Sequence, residues 1–186
     1  SALSASQIAS IYNSGTPGDI SALSPLGWWR MGDNDGGTGT TVTDQGSGGN
    51  DATLTNGPTF STAVPPKFST LSADLDGTDD SVLISSTPIY VNQSAAFSLS
   101  FWMNPTGYGS DGTYANVLAL KSDFVTGHIT NNFAIHINNN TSSYAGISFG
   151  ITDFPVNTAY YHTTGVTGNS LLNTWSHVVI TYNGSA

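Results

Sequence analysis

The stretch LDGTDDSVLIS, Leu75 to Ser85, crowds three aspartates into one turn. Asp76, Asp79 and Asp80 offer carboxylate oxygens from a flexible loop, the donor type that Ca²⁺ takes. The same residues suit a plain turn. Gly77 supplies backbone freedom, and the Asp side chains can hydrogen-bond their own backbone. The sequence leaves both readings open: Ca²⁺ at Asp76, Asp79 and Asp80, or aspartates as turn formers with no cofactor required. Asp33 and Asp35 crowd a second Gly-rich turn, and neither cluster matches an EF-hand loop. A second kind of chemistry rests on aromatics. Tyr108 and Tyr114 fall in one expected loop, and Tyr160, Tyr161 and His162 in another. Flat faces beside Asn and Asp are the composition of a sugar site. They are equally that of a protein contact, where Tyr is enriched.

Other chemistries are disfavoured. Glycoside hydrolysis uses a pair of carboxylates flanking the scissile bond. All 12 acidic residues are Asp, and no expected strand carries two of them in an apolar alternation. Asp74 and Asp76 come closest, at the mouth of a turn. The four His residues (128, 136, 162 and 177) do not pair at metal-ligand spacing, and no nucleophile elbow, phosphate loop or triad signature occurs. The chain therefore reads as non-enzymatic. With 3 Lys and Arg and a net charge of −9, its surface repels phosphate, so nucleic acid is not an expected partner. There is no basic amphipathic face and no apolar run approaching a span, so membrane insertion is not expected. Cysteine is absent, which excludes disulfides and thiolate zinc sites. The abundant Gly, Ser, Thr and Asn suit an extracellular, virion or adhesive β-protein.

The positioning elements are mostly strands. Ser4 to Asn13 reads as a helix, with Leu3, Ile8, Ile11 and Tyr12 at helical spacing, Ser4 or Ser6 as cap, and Gly15 and Pro17 ending it. Pro25 to Gly32 reads as a strand, with Trp28 and Trp29 on opposite faces. Asp33 to Asn50 reads as a loop around a short strand at Thr40 to Thr43, followed by a strand at Ala52 to Leu54. Val82 and Ile84 share a face of the strand after the Asp turn. Phe97, Leu99, Phe101 and Met103 form the cleanest period-2 run. Strands follow at Asn116 to Lys121, Phe133 to Ile137, Ile147 to Ile151 and Val178 to Tyr182, with a turn at Asn138 to Ser143. Asp153 to Asn173 reads as a long loop. Short strands with turn signals between them predict an all-β antiparallel sandwich with a short N-terminal helix.

WWRMGD (Trp28 to Asp33), LDGTDDSVLI (Leu75 to Ile84), FSLSFWMNP (Phe97 to Pro105) and WSHVVITYNG (Trp175 to Gly184) follow one another in order. Together they resemble the laminin-G-like, concanavalin-A-like jelly-roll domain over Pro25 to Ala186. The resemblance implies two curved antiparallel sheets stacked face to face, and it also implies further strands after Tyr182. Residues 1–24 resemble the helical end of a preceding repeat. The expected organisation is thus 1–24 as helix and connector and 25–186 as a jelly roll completed by other strands. Such modules repeat in phage structural and bacterial surface proteins, so the resemblance implies a virion or cell-surface location. The expected partners are other subunits of an assembly, as a homo-oligomer or tandem repeats. The leading function is a structural and adhesion module; the alternative is a carbohydrate-binding module assisted by Ca²⁺.

Overall fold

The computed structural model describes residues 1–65, 69–84, 95–107, 114–120, 123–125, 128–130, 132–138, 146–153, 157–162 and 168–184. The chain divides into two units, Ser4–Pro88 and a second made of Ser1–Leu3 with Ile89–Ala186.

The first unit opens with α1, Ala5–Tyr12. Ser4 caps it: its Oγ accepts the Gln7 N–H, and the Gln7 side chain accepts the Ser4 N–H in return. This reciprocal box satisfies two N–H groups that a helix start leaves orphaned. Asn13 ends the helix in the left-handed conformation and returns its N–H to the Ala9 carbonyl. Five short strands follow: β1 Thr41–Val42, β2 Ala52–Thr55, β3 Thr59–Ser61, β4 Ser72–Asp74 and β5 Ser81–Ile84. β1, β2 and β5 form one antiparallel sheet in the order β1-β2-β5, and β3 pairs with β4. Strand alternation puts Val42, Ala52 and Leu54 inside. Trp29, Met31, Phe60, Ala73, Val82 and Ile84 pack against them. Thr53 and Leu83, one residue out of phase, face solvent.

In the second unit, β6 (Phe97–Met103) is followed by β7 (Tyr114–Leu120) and a small hairpin of β8 (Asp123–Val125) and β9 (His128–Thr130). Then come β10 (Asn132–Asn138), β11 (Gly146–Asp153), β12 (Asn157–His162) and β13 (Ser176–Tyr182). β6 and β13 pair antiparallel along their whole length, from Phe97 opposite Tyr182 to Met103 opposite Ser176. The other sheet runs β12-β11-β10-β7. Met103, Val178, Ile180 and Tyr182 from the first sheet share one core with Ile135 from the second, closed by Leu171. Phe97, Leu99, Phe101, Ile147 and Phe149 pack against that core. Two antiparallel sheets facing each other over one apolar layer make a β-sandwich. The period-2 reading of Phe97 to Met103 and of Val178 to Tyr182 is thereby accounted for.

Two expected elements are corrected. Pro25 to Gly32 is not a strand; it contributes one isolated bridge, Trp29 opposite Asp44. Met31 and Gly32 take positive φ (49° and 106°), which ends any extended run. The two faces expected of it survive nonetheless: Trp29 and Met31 reach the core, while Arg30 lies over the Trp28 ring. Asp153 to Asn173 is not one long loop. It contains β12, which pairs with β11 from Asp153 opposite Asn157 to Ser148 opposite His162. The turn expected at Asn138 to Ser143 lies beyond Asn138 outside the described residues.

Candidate functional site

The Asp76–Asp80 turn joins β4 to β5. Gly77 sits at φ 77°, a conformation that favours glycine. Asp76 Oδ1 accepts the Thr78 N–H at 2.7 Å, and Asp80 Oδ2 accepts the Asp76 N–H at 3.0 Å. The expectation that these side chains hold their own turn shut is met. From the neighbouring β2–β3 connection, Asn56 Nδ2 donates to the Asp79 carbonyl at 2.9 Å. One carboxylate oxygen from each of Asp76, Asp79 and Asp80 lies within 4.8 Å of the others. Oxygens bound to one Ca²⁺ at about 2.3–2.6 Å can stand up to about 5 Å apart, so the spacing admits a shared ion. Asp76 and Asp79 are exposed and Asp80 is partly buried. The turn fulfils the turn-former reading and has the donor set of the other.

The aromatic candidates are less concentrated than the sequence suggested. Tyr108 lies outside the described residues. Tyr114 is the first residue of β7, opposite Asn138, rather than part of a loop. Tyr160, Tyr161 and His162 are the last three residues of β12, opposite Gly150, Phe149 and Ser148. The run Asn157–His162 lacks apolar alternation, and this hid a strand whose Thr and Tyr content favours the extended state.

Sequence reasoning missed how the other aspartates are used. Asp44 is 8% exposed, and its carboxylate gathers three backbone N–H groups. Oδ1 accepts from Trp28 at 2.8 Å and from Gly46 at 2.7 Å; Oδ2 accepts from Asn50 at 2.9 Å. The Asn50 carbonyl accepts the Trp29 indole N–H, and the Asp51 carboxylate accepts the Asp44 N–H. Asp33 pairs with Arg30 at 2.9 Å, while its other oxygen takes the N–H groups of Thr70 and Leu71 and the Thr70 hydroxyl. Burial acts to raise the Asp33 pKa. Those hydrogen bonds and the Arg30 charge outweigh it and hold the group below the ordinary carboxylate value. Asp35 accepts the Thr43 N–H and hydroxyl. Asp33 and Asp35, which crowd one turn in sequence, thus work as separate staples.

A family comparison agrees with the β-sandwich of the second unit. The family model described as the concanavalin A-like lectin/glucanases superfamily, of laminin G type, matches residues 76–186, more than half of the chain. The chain belongs to this superfamily. Comparisons with curated proteins and with solved structures gave no match. The match begins at Asp76, so the superfamily region includes the aspartate turn, the tyrosine strands and the whole β6–β13 pair.

Within that region the side of β6–β13 turned away from the core carries an aromatic pair. Trp102 and His177, directly opposite in the ladder, stack with ring centroids 5.0 Å apart at 22°. His177 Nε2 shares a 2.8 Å hydrogen bond with Ser100 Oγ. His177 thus packs on the sheet on the side away from the core. Burial lowers its pKa, because an imidazolium there loses hydration. Above the ordinary His value of about 6.5 both folded and unfolded chains hold it neutral. Below it the unfolded chain takes up the proton first, so stability falls as pH drops from about 6.5 towards the lower folded value. Thermal unfolding of wild type and His177→Gln between neutral and mildly acidic pH is expected to show a steeper acid loss for wild type. Parallel curves would contradict it.

Proposed function

We propose that this superfamily domain is a non-enzymatic binding and adhesion module of an extracellular or virion assembly. Its rigid sandwich would present loops and strand ends to other protein subunits. The observation that carries this reading is the use of the acidic residues. Asp33, Asp35, Asp44 and Asp51 hold backbone N–H groups, and the full sequence has no Glu. A retaining or inverting hydrolase needs two carboxylates free to face a glycosidic bond, about 5–9.5 Å apart. Carboxylates committed to backbone donors, three of them in the case of Asp44, are poor proton shuttles.

A second reading is favoured by the Asp76–Asp80 turn: a carbohydrate-binding module with Ca²⁺ on that turn, and with Tyr114, Tyr160, Tyr161 and His162 of the other unit as separate candidate sugar contacts. The turn's carboxylates, two exposed and one partly buried, converge within one ion's reach. A specific ion at about 100 times its Kd would stabilise the fold by about 2.7 kcal/mol. Calorimetry with CaCl₂ and a glycan array run with and without Ca²⁺ separate the readings. A Ca²⁺-dependent rise in Tm that Asp80→Ala abolishes, with glycan signals lost in Tyr160→Ala or Tyr161→Ala, supports the second. Self-association without glycan binding supports the first. Cleavage of a polysaccharide would overturn both.

A further inference from the structure

The β2–β3 connection places the parts of a self-modifying site side by side. Asn56 precedes Gly57, and both are exposed. Asn56 takes a positive φ of 71° and Gly57 one of 128°, so the pair is held in a turn and not in a ladder. The Gly57 N–H donates no hydrogen bond among the described residues, which leaves that nitrogen open. Asp80 Oδ1 lies 3.4 Å from where a Cβ on Gly57 would stand, so a carboxylate touches this stretch of backbone. On the other side, the Asn56 amide nitrogen is anchored on the Asp79 carbonyl at 2.9 Å. An amide side chain, a glycine nitrogen without a hydrogen bond and a carboxylate therefore stand at one exposed turn, and the carboxylate would act on the Gly57 N–H through one intervening water.

We propose that Asn56 is a site of intramolecular deamidation assisted by Asp80. The Gly57 nitrogen bonds to Asn56 Cγ as Asp80 accepts its proton through one water. The Cγ–Nδ2 bond breaks, and the nitrogen leaves as ammonia with the returned proton. Water then opens the cyclic imide to aspartate or isoaspartate. Glycine suits the step because it places no side chain beside the attacking nitrogen. The change removes the amide donor to Asp79 and adds one negative charge next to Asp76, Asp79 and Asp80. A surface crowded with carboxylates becomes more so, and the tie between the β2–β3 connection and the aspartate turn is lost.

The test ages the full chain in mildly alkaline heavy-oxygen water, folded and in urea, and maps peptides by mass. In urea the local sequence alone sets the rate. The expected result is conversion at Asn56 in the folded chain at least as fast as in urea. Asp80→Asn should slow the folded rate several-fold and leave the urea rate unchanged. A folded chain that keeps Asn56 intact while the unfolded one converts would overturn the proposal, and this comparison needs no variant. Equal folded rates in wild type and a folded Asp80→Asn would also overturn it.

Discussion

Asp44→Ala is expected to cost about 2–4 kcal/mol of stability, because it removes the acceptor of three backbone N–H groups at once. Those of Trp28, Gly46 and Asn50 all end on this one carboxylate, which is buried to 8% exposure. An unsatisfied buried donor costs about 1–3 kcal/mol; the Asn50 bond is buried and those of Trp28 and Gly46 are partly so. The loop has little freedom to adjust. Any side chain at Gly46 would press on the backbone of Leu26 and Gly27, at 2.7–2.8 Å. The carbonyls of Pro25, Leu26 and Trp28 are in turn bonded to Ser47, Gly48 and Gln45. Asp44→Asn keeps one acceptor but turns an amide N–H₂ towards a donor, so it should fall between wild type and alanine. Urea unfolding followed by tryptophan fluorescence reads this directly, since Trp28 and Trp29 flank the site. A loss under about 0.5 kcal/mol for the alanine variant would mean that the loop is held by something else.

The role of Asp44 was not legible in the sequence, for a physical reason. Its partners lie 16 residues upstream and 2 and 6 residues downstream, and nothing periodic marks them. A Gly- and Asp-rich stretch reads as loop whether its carboxylates face water or staple backbone. The legible parts were those with a period. Phe97 to Met103 and Val178 to Tyr182 announced a sheet with one apolar face, and the sandwich followed. The capping box at Ser4 was legible as a choice between two serines, and Gln7 settles it. Where hydrophobic pattern and backbone geometry disagree, the reading failed. The apolar run at Pro25 to Gly32 has a strand's alternation, but its turn at Met31 and Gly32 forbids the ladder. β12 is the converse, a ladder without the alternation.

The candidate site divides along the same line. The local chemistry of the Asp76–Asp80 turn was readable, because an Asp side chain that bonds a backbone N–H two residues on needs only its own neighbours. Its tie to Asn56 spans 23 residues and was not readable. The tyrosines were grouped by sequence into loops. Their shared character is instead that Tyr114, Tyr160 and Tyr161 belong to β7 and β12, the two outer strands of one four-stranded sheet among the described residues. Ligand contact through them would therefore engage strand residues and not loop tips.

Ile135→Ala is expected to destabilise the superfamily domain by about 2–5 kcal/mol, and Ile135→Val by about 0.5–1.5 kcal/mol. Ile135 is fully buried, at 0% exposure, in β10 between the two sheets. The ladder holds its backbone from both sides, with Phe149 opposite in β11 and Leu118 opposite in β7. A backbone held on both flanks cannot collapse inward to fill the space left by the lost methylenes. The loss therefore includes a cavity term as well as lost transfer energy. Leu83→Ala is the matched control. Leu83 is 52% exposed on the solvent side of β5, and a surface change of this kind stays within about 0.5 kcal/mol. Denaturant midpoints for the three variants at constant m-value give the ranking. If Ile135→Ala and Leu83→Ala prove equal, β10 does not carry the centre of the sandwich and the two sheets are not held together through Ile135.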